Sequence, residues 1–497
     1  MKSIRLANTL LYLAFIGSMI GCDTNEDIKA PTSEDFVLIS PEAPQINGWS
    51  TEIISDTRHC AKTEAYMKEK DGLDMNISTH SDTVTNRFEK ITTRGTNMDD
   101  NTVFRIIAYA CTGVANITTS NYKEYGDYRL LSNGTIETIR SLKLQVGTYT
   151  FICYSYGSNA NMAAFGNTST SITAANGQNF MTCTKENIAI NNLGSIYTLN
   201  GIKFNHHCVC YGLKLSAQSG RMTNITACSG TLALPHSGGT YSFTKNSVTP
   251  NSTAGNLNIT WSSPNGMEVL SNYVYIFPLN NQSITVNLNP TIGGKAFTNK
   301  KVTLSGLTLK ANGTYYSTVS FTTDQGYIVG GAFWARANLY YVNGSFGFYN
   351  TTEQISTTRS QDFWRWNALY PGSDDTGAFP ATWRTDLDPC RKVSPAGTWR
   401  LPTANEYTNL IGSGFIYTSL SNKKGVKFGN LIFFPCSGIF LGGSVTIVQS
   451  DTRGVYWTQD LGNAYGAMLD FSYGSYTTVN GSDGVNHFMP IRCVRTD

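Results

Sequence analysis

Apolar and polar positions alternate with a period of two in a succession of short runs, and that spacing predicts strands rather than helices. The first is Leu73-Asp74-Met75-Asn76-Ile77-Ser78, set in a polar stretch from residue 23 to 94 with no other sustained core pattern. Beyond it, Val103-Phe104-Arg105-Ile106-Ile107-Ala108-Tyr109 and the aromatic, β-branched run 147–156, entered through Gly147, predict further strands. Similar runs recur at 211–215, 230–234, 241–243, 273–277, 283–288 and 315–321, with turn pairs such as Gly238-Gly239 and Asn312-Gly313 between them. Regularly spaced short strands of this kind predict β-sandwiches. After about residue 325 the rhythm is broken by one helix. Thr403-Ala404-Asn405-Glu406 predicts a capping box, Leu410 and Ile411 an apolar end, and Gly412 a left-handed stop. The expected fold is mainly β, with sandwiches over 95–195 and 196–325 and a separate α+β domain over 326–497.

Composition agrees with several domains. The chain has 497 residues, and at about 150 residues per domain that makes roughly three. Charged residues are only 14% and aromatics reach 12%, which excludes a charged disordered chain. Net charge is +3, from 37 basic and 34 acidic residues without a basic stripe, so no nucleic-acid partner is expected. No apolar stretch after the N-terminus approaches the ~20 residues of a spanning helix.

The N-terminus adds a compartment. Lys2 and Arg5 precede an apolar run from Leu10 to Ile20 that is too short for a membrane span and reads as a secretory signal. It ends Met19-Ile20-Gly21-Cys22, which resembles the lipobox of bacterial lipoproteins, with Met19 where that motif usually has leucine. The resemblance implies removal of residues 1–21 and diacylation of Cys22, hence an outer-membrane lipoprotein precursor with a prosegment over 22–94. An exported chain can keep disulfides. The cysteines left to pair are 60, 111, 153, 183, 208, 210, 228, 390, 436 and 493.

The order of lipobox, polar prosegment, arginine and two β-sandwich segments resembles the fimbrillins, the lipoprotein-derived (type V) pilus subunits of Bacteroidales. The carrying residues are 104–109, 147–156 and 307–321 with its Asn312-Gly313-Thr314-Tyr315-Tyr316 core. The resemblance implies transthyretin-like sandwiches and a trypsin-like cut between Arg94 and Gly95, with Arg87 as the competing site. The cut would remove the strand carrying Leu73, Met75 and Ile77 and open a groove for a strand donated by another fimbrial subunit. Such an exchange repairs exposed backbone groups and an apolar trough together.

The last domain resembles a second family. Asp388-Pro389-Cys390, Gly397-Thr398-Trp399-Arg400-Leu401-Pro402-Thr403 with Glu406, Phe434-Pro435-Cys436-Ser437-Gly438, Tyr456-Trp457 and Pro490-Ile491-Arg492-Cys493 look like the signature of Fibrobacter major-paralogous-type domains, which have a C-type-lectin-like fold. The resemblance implies that the two ends of the domain meet through a Cys390–Cys493 disulfide, leaving Cys436 without a partner there. With the chain ending inside the apparent last strand, the expected role is a pilus-tip adhesin that accepts a strand and lends none from its C-terminus. The alternative is a lipid-anchored, non-polymerising binder of surface glycans. Ligand contacts on a host or bacterial surface are expected at Tyr473, Tyr476 and Trp457, because loops on a rigid scaffold usually carry binding.

Catalytic and metal patterns are sparse. There is no Gly-x-Ser-x-Gly elbow, Walker loop or His-Glu-x-x-His helix, so neither an enzyme nor a cofactor is expected. His206-His207-Cys208-Val209-Cys210 would place His206, Cys208 and Cys210 on one strand face, but no second pair follows at zinc-like spacing. Asp374-Asp375 and Asp386/Asp388 have carboxylates suited to calcium. The lectin calcium motif is absent, which favours solvated turns. Residues 400–403 also resemble formylglycine-generating enzymes, but the closely set copper-binding cysteine pair of that family is missing.

Overall fold

A computed structural model of the chain describes residues 36–49, 65–67, 73–81, 98–166, 169–217, 221–323, 325–372, 382–461, 466–480 and 486–496. It is mainly β throughout.

Val103–Tyr109 is buried at every position, a pattern that alternation alone does not explain. The reason is its place in a seven-stranded sheet ordered Gln45–Ile46, Lys203–His206, Met181–Ile190, Gly147–Ser155, Val103–Tyr109, Tyr122–Leu130, Ile136–Arg140. Both faces of that sheet are covered. Phe104, Ile106 and Ala108 enter one core, under a small sheet of Ile196–Leu199, Val37–Pro41 and Leu142–Leu144. Ile107 and Tyr109 enter another, under Ser171–Ala175, Gly238–Ser242 and Ser247–Pro250. Strands covered on both faces read as continuous apolar runs. The one charge in the run, Arg105, is held by both oxygens of buried Asp127 at 2.6 and 2.8 Å and lies 4.2 Å from the Tyr125 ring centroid.

The boundaries expected from sequence shift as a result. Residues 196–206, assigned above to the second sandwich, pair within the first body, as does the hairpin 238–250. The N-terminal segment contributes Val37–Pro41 and Gln45–Ile46 to the same body.

The second sandwich faces two sheets across one core. In one, Val209–Ser216 and Thr314–Thr322 run parallel, flanked by Glu268–Leu270 on one side and by Asp74–Ser81 and Ala65–Met67 on the other. The other is built on Ile225–Leu234, Leu279–Ile292 and Lys300–Leu309, with Gly255–Thr260 at its edge. The core between them continues into the C-terminal body through Ile328, Phe333 and Ala335.

The C-terminal body closes on its own ends. Val494–Arg495 lies between Ala332–Ala335 and Trp399–Arg400, and Cys390 is disulfide-bonded to Cys493, with Cα atoms 5.8 Å apart. Its helix, Ala404–Gly412, begins with the capping box of Thr403 and Glu406. Gly412 is its last helical residue and not the left-handed stop that the sequence suggests. Ser413 caps it, and the left-handed residue is Gly414, at φ +86°.

Candidate functional site

The N-terminal segment is woven into two bodies. Met75 and Ile77 alternate along Asp74–Ser81 and, with Leu73 just before it, have no solvent exposure. The strand pairs antiparallel with Thr314–Thr322 from Tyr315↔Ser81 to Thr322↔Asp74, and its far edge pairs with Ala65–Met67. It is thus an interior strand of its sheet, with its apolar side chains in the second sandwich's core.

A second strand of this segment escaped the sequence reading. Val37–Pro41 alternates buried and exposed, with Val37 and Ile39 in the first body's core. It runs parallel to Ile196–Leu199 and antiparallel to Leu142–Leu144. The Tyr128 hydroxyl donates to the Ile39 carbonyl at 2.8 Å. The signal was present as Val37-Leu38-Ile39-Ser40, but four residues beside Pro41 and Glu42 make a weak period. Between the two strands, Trp49 stacks on His206 at 3.9 Å and faces Tyr275 at 5.8 Å. The expected lipidation and cleavage positions, Cys22, Arg87, Arg94 and Gly95, lie outside the described residues, as does the signal segment.

The lectin-like motif residues turn out to be structural. Asp388 accepts the backbone N–H of Cys390 at 2.9 Å and of Leu401 at 3.0 Å. Arg400 grips both oxygens of Glu406 at 2.8 and 2.7 Å while Glu406 also accepts from Thr403 N. The motif therefore binds the turn before the helix to the helix start. Asp388 is buried, and Asp386 is exposed and paired with Arg384. Asp374 and Asp375 lie outside the described residues. Among the described residues no group of three His, Cys, Asp or Glu could hold a metal.

Of the expected ligand contacts, Trp457 is corrected. It has no exposure, enters the core shared with the second sandwich, and donates from its indole nitrogen to Trp364 O at 2.7 Å. No ligand on the surface reaches it. Tyr476 is 40% exposed, with its hydroxyl on Asp470. Asp470 is fixed in turn by a two-bond contact with Arg453, at 2.8 Å each. Tyr473 is half-buried, 5.9 Å from the Tyr417 ring and 5.4 Å from Lys424 Nζ. Phe415, Ile416 and Leu420 on the neighbouring hairpin are also exposed, Phe415 on the side of Tyr417 and Tyr473 and the other two on the opposite side of the strand.

The His206–Cys210 cluster is divided. His206 ends a strand of the first body, and Cys210 pairs with Thr314 in the second, so the expected shared face does not form. His206 Nδ1 is 2.7 Å from Asn179 Oδ1, and His207 Nε2 is 2.6 Å from Thr182 Oγ1. Burial lowers both imidazoles to about 4. Unfolded imidazoles bind protons well above that value, so the stability these two lend is present above about pH 6.5 and lost as pH falls toward 4. Asp362 and Asp388 run the other way. Burial raises each to about 6, so their folded carboxyls hold protons that unfolded ones have released, and the C-terminal body loses stability as pH rises from about 4 to 6. Moving from pH 7 to pH 5 should loosen the junction near His206 and tighten the C-terminal body. Amide exchange corrected for intrinsic rates checks this, and a change of the same sign in both regions contradicts it.

No family model and no curated protein matches the chain. Among solved structures, a candidate cell adhesion protein from Bacteroides fragilis is 15% identical with a TM-score of 0.36, over 65% of this chain and 100% of that one. Another from Bacteroides ovatus is 15% identical with a TM-score of 0.32, over 57% and 92%. The fimbrial anchor protein Mfa2 from Porphyromonas gingivalis is 9% identical with a TM-score of 0.25, over 50% and 78%.

Proposed function

We propose that this protein is a cell-surface adhesin assembled as a minor fimbrial subunit, exported as a lipoprotein precursor that fills its own strand-acceptor groove. The observation that carries the reading is Asp74–Ser81, a strand from N-terminal to Arg94 that lies inside the second sandwich with Met75 and Ile77 fully buried. A cut at Arg94 would separate it covalently from the body it completes. Its loss would bare the edge of Thr314–Thr322 and an apolar trough, which a strand from a neighbouring subunit can refill. Val494–Arg495 is held between two strands of its own sheet. Lending that strand would open its body, and the position proposed for this subunit is the fimbrial tip, where it accepts a strand.

The test is the mature N-terminus from cells, read by mass spectrometry. Gly95 as the first residue supports cleavage, whereas lipidated Cys22 supports the alternative of a non-polymerising lipid-anchored glycan binder. Arg94→Ala should hold the chain in the membrane fraction and remove it from sheared fimbriae, while Arg87→Ala should change little. Normal-sized Arg94→Ala protein in sheared fimbriae would contradict cleavage at this residue.

The C-terminal body, with its lectin-like motif, is the proposed head, and Tyr473 and Tyr476 are its proposed ligand contacts. Tyr476→Ala should lower adhesion about tenfold with an unchanged melting temperature, because an exposed truncation costs within about 0.5 kcal/mol. Unchanged adhesion would move the contact elsewhere. A copper oxidase reading is not favoured, since Cys390 and Cys493 are bonded to each other and Cys436 is buried, its thiol pushed up to about 12 by burial.

A further inference from the structure

The first body contains two cysteines that its sheet sets face to face. Cys153 lies in Gly147–Ser155 and Cys183 in Met181–Ile190, adjacent antiparallel strands whose register pairs the two directly. Both side chains enter the same core, beneath the small sheet that contains Val37–Pro41. Directly opposed residues have Cα atoms about 4.5–5.5 Å apart and Cβ atoms at a similar spacing. A disulfide spans Cα atoms at about 4.4–6.8 Å and Cβ atoms at about 3.5–4.5 Å. The backbone spacing therefore already fits, and the Cβ atoms must approach by roughly an ångström.

The ladder also says which kind of pair this is. His207 N donates to Phe180 O at 3.0 Å, and the register Met181↔His206 sets those two residues opposite. Phe180 and Thr182 thus turn their backbone groups toward Lys203–His206, and Cys183 turns its own toward Gly147–Ser155. Cys153 and Cys183 form a hydrogen-bonded pair, the wider of the two antiparallel kinds. A bond across such a pair is strained, and strained disulfides are the readily reduced ones.

We propose that Cys153 and Cys183 are a reversible cross-strand dithiol–disulfide pair, closed by exchange with a small disulfide or an oxidised Cys-x-x-Cys donor. The Cys183 thiolate attacks a donor sulfur, forming a mixed disulfide and releasing one donor thiol. The Cys153 thiolate then attacks the Cys183 sulfur, forming the cross-strand bond and releasing the second donor thiol. Two protons and two electrons pass from the pair to the donor. Cys183 is the entry point. It is the less buried of the two, and the Lys203 N–H points at its sulfur from 3.4 Å. Hydrogen bonding between the thiols lowers the Cys183 pKa and raises that of Cys153. The structure shows the reduced form, with both sulfurs as thiols.

The full chain, reduced and then treated with oxidised glutathione in mild urea so that the strands can open, is quenched with N-ethylmaleimide and peptide-mapped. The expected product is a linked pair of peptides containing Cys153 and Cys183, lighter by two hydrogens than the dithiol. Dithiothreitol should reverse it, and Cys153→Ser should trap Cys183 as the glutathione adduct. Maleimide on both cysteines, or a link from either to another cysteine, would overturn the proposal, as would a Cys153–Cys183 bond that dithiothreitol does not open. The map of the unsubstituted chain decides this even if the serine variant fails to fold.

Discussion

Ile77→Asp should destabilise the second sandwich by on the order of 5 kcal/mol, although it changes a residue of the N-terminal segment. Ile77 has no exposure and lies in the core between the two sheets. Truncating such a residue costs about 2–5 kcal/mol, and a carboxyl in its place must also be desolvated or protonated. Domains are stable by only about 5–15 kcal/mol, so this single change removes most of the margin. Leu38→Asp is the matched control, since it puts the same charge in the same segment at a position 37% exposed, and it should cost no more than about 1 kcal/mol. Urea unfolding of the two variants separates the cases. Equal midpoints would mean that the strand does not complete the core. If the strand can be exchanged, a peptide of residues 73–81 added in trans should restore much of the loss in the Ile77→Asp chain. The same peptide with polar residues at positions 75 and 77 should not.

How much of this was legible in the sequence depends on which physical signal each element carries. Met75 and Ile77 stood out because an alternating pattern among polar neighbours has one simple explanation, a strand with one buried face. Val37 and Ile39 carry the same pattern over too short a length. Trp457 was misread because its strand, Arg453–Leu461, is covered on both sides. Val455 and Trp457 enter the core shared with the second sandwich, while Tyr456 enters the C-terminal body's own core. An aromatic pair beside a turn looks the same in sequence whether or not a second layer lies over it. The His206–Cys210 cluster failed for a related reason. Its single-face reading assumed one continuous strand, whereas the chain passes from one body to the next between His206 and Val209. Local period shows that a strand exists and which way its residues alternate. Layering and long-range partners are set by the assembled sheets.

The covalent tie across the C-terminal body gives the other large expected effect. Opening the Cys390–Cys493 bond should cost the C-terminal body about 4–5 kcal/mol, because its cysteines are 103 residues apart and closing a loop of that length removes this much unfolded-state entropy in the chain-entropy model. The tie also acts where the body's ends converge. Cys390 sits in the turn capped by Asp388, and Cys493 precedes the strand that joins Trp334 to Trp399 and Arg400. Arg492 beside it is wholly buried and donates to Asn338 Oδ1, Thr352 O and Phe433 O at 2.9–3.1 Å. Fraying of the last strand would strand that guanidinium among unfilled acceptors, so entropy and core polarity fail together. Six of the eight tryptophans lie between residues 334 and 457, which makes indole fluorescence a reporter dominated by this body. Cys390→Ala with Cys493→Ala should shift its urea midpoint down by about 2 M, at a slope near 2 kcal/mol per M. Cys436→Ala, a buried free thiol in the same body, should shift it by less than half as much. Equal shifts for the bonded pair and the free thiol would mean that the loss is one of packing alone, and that the bond contributes no restraint to the ends it joins.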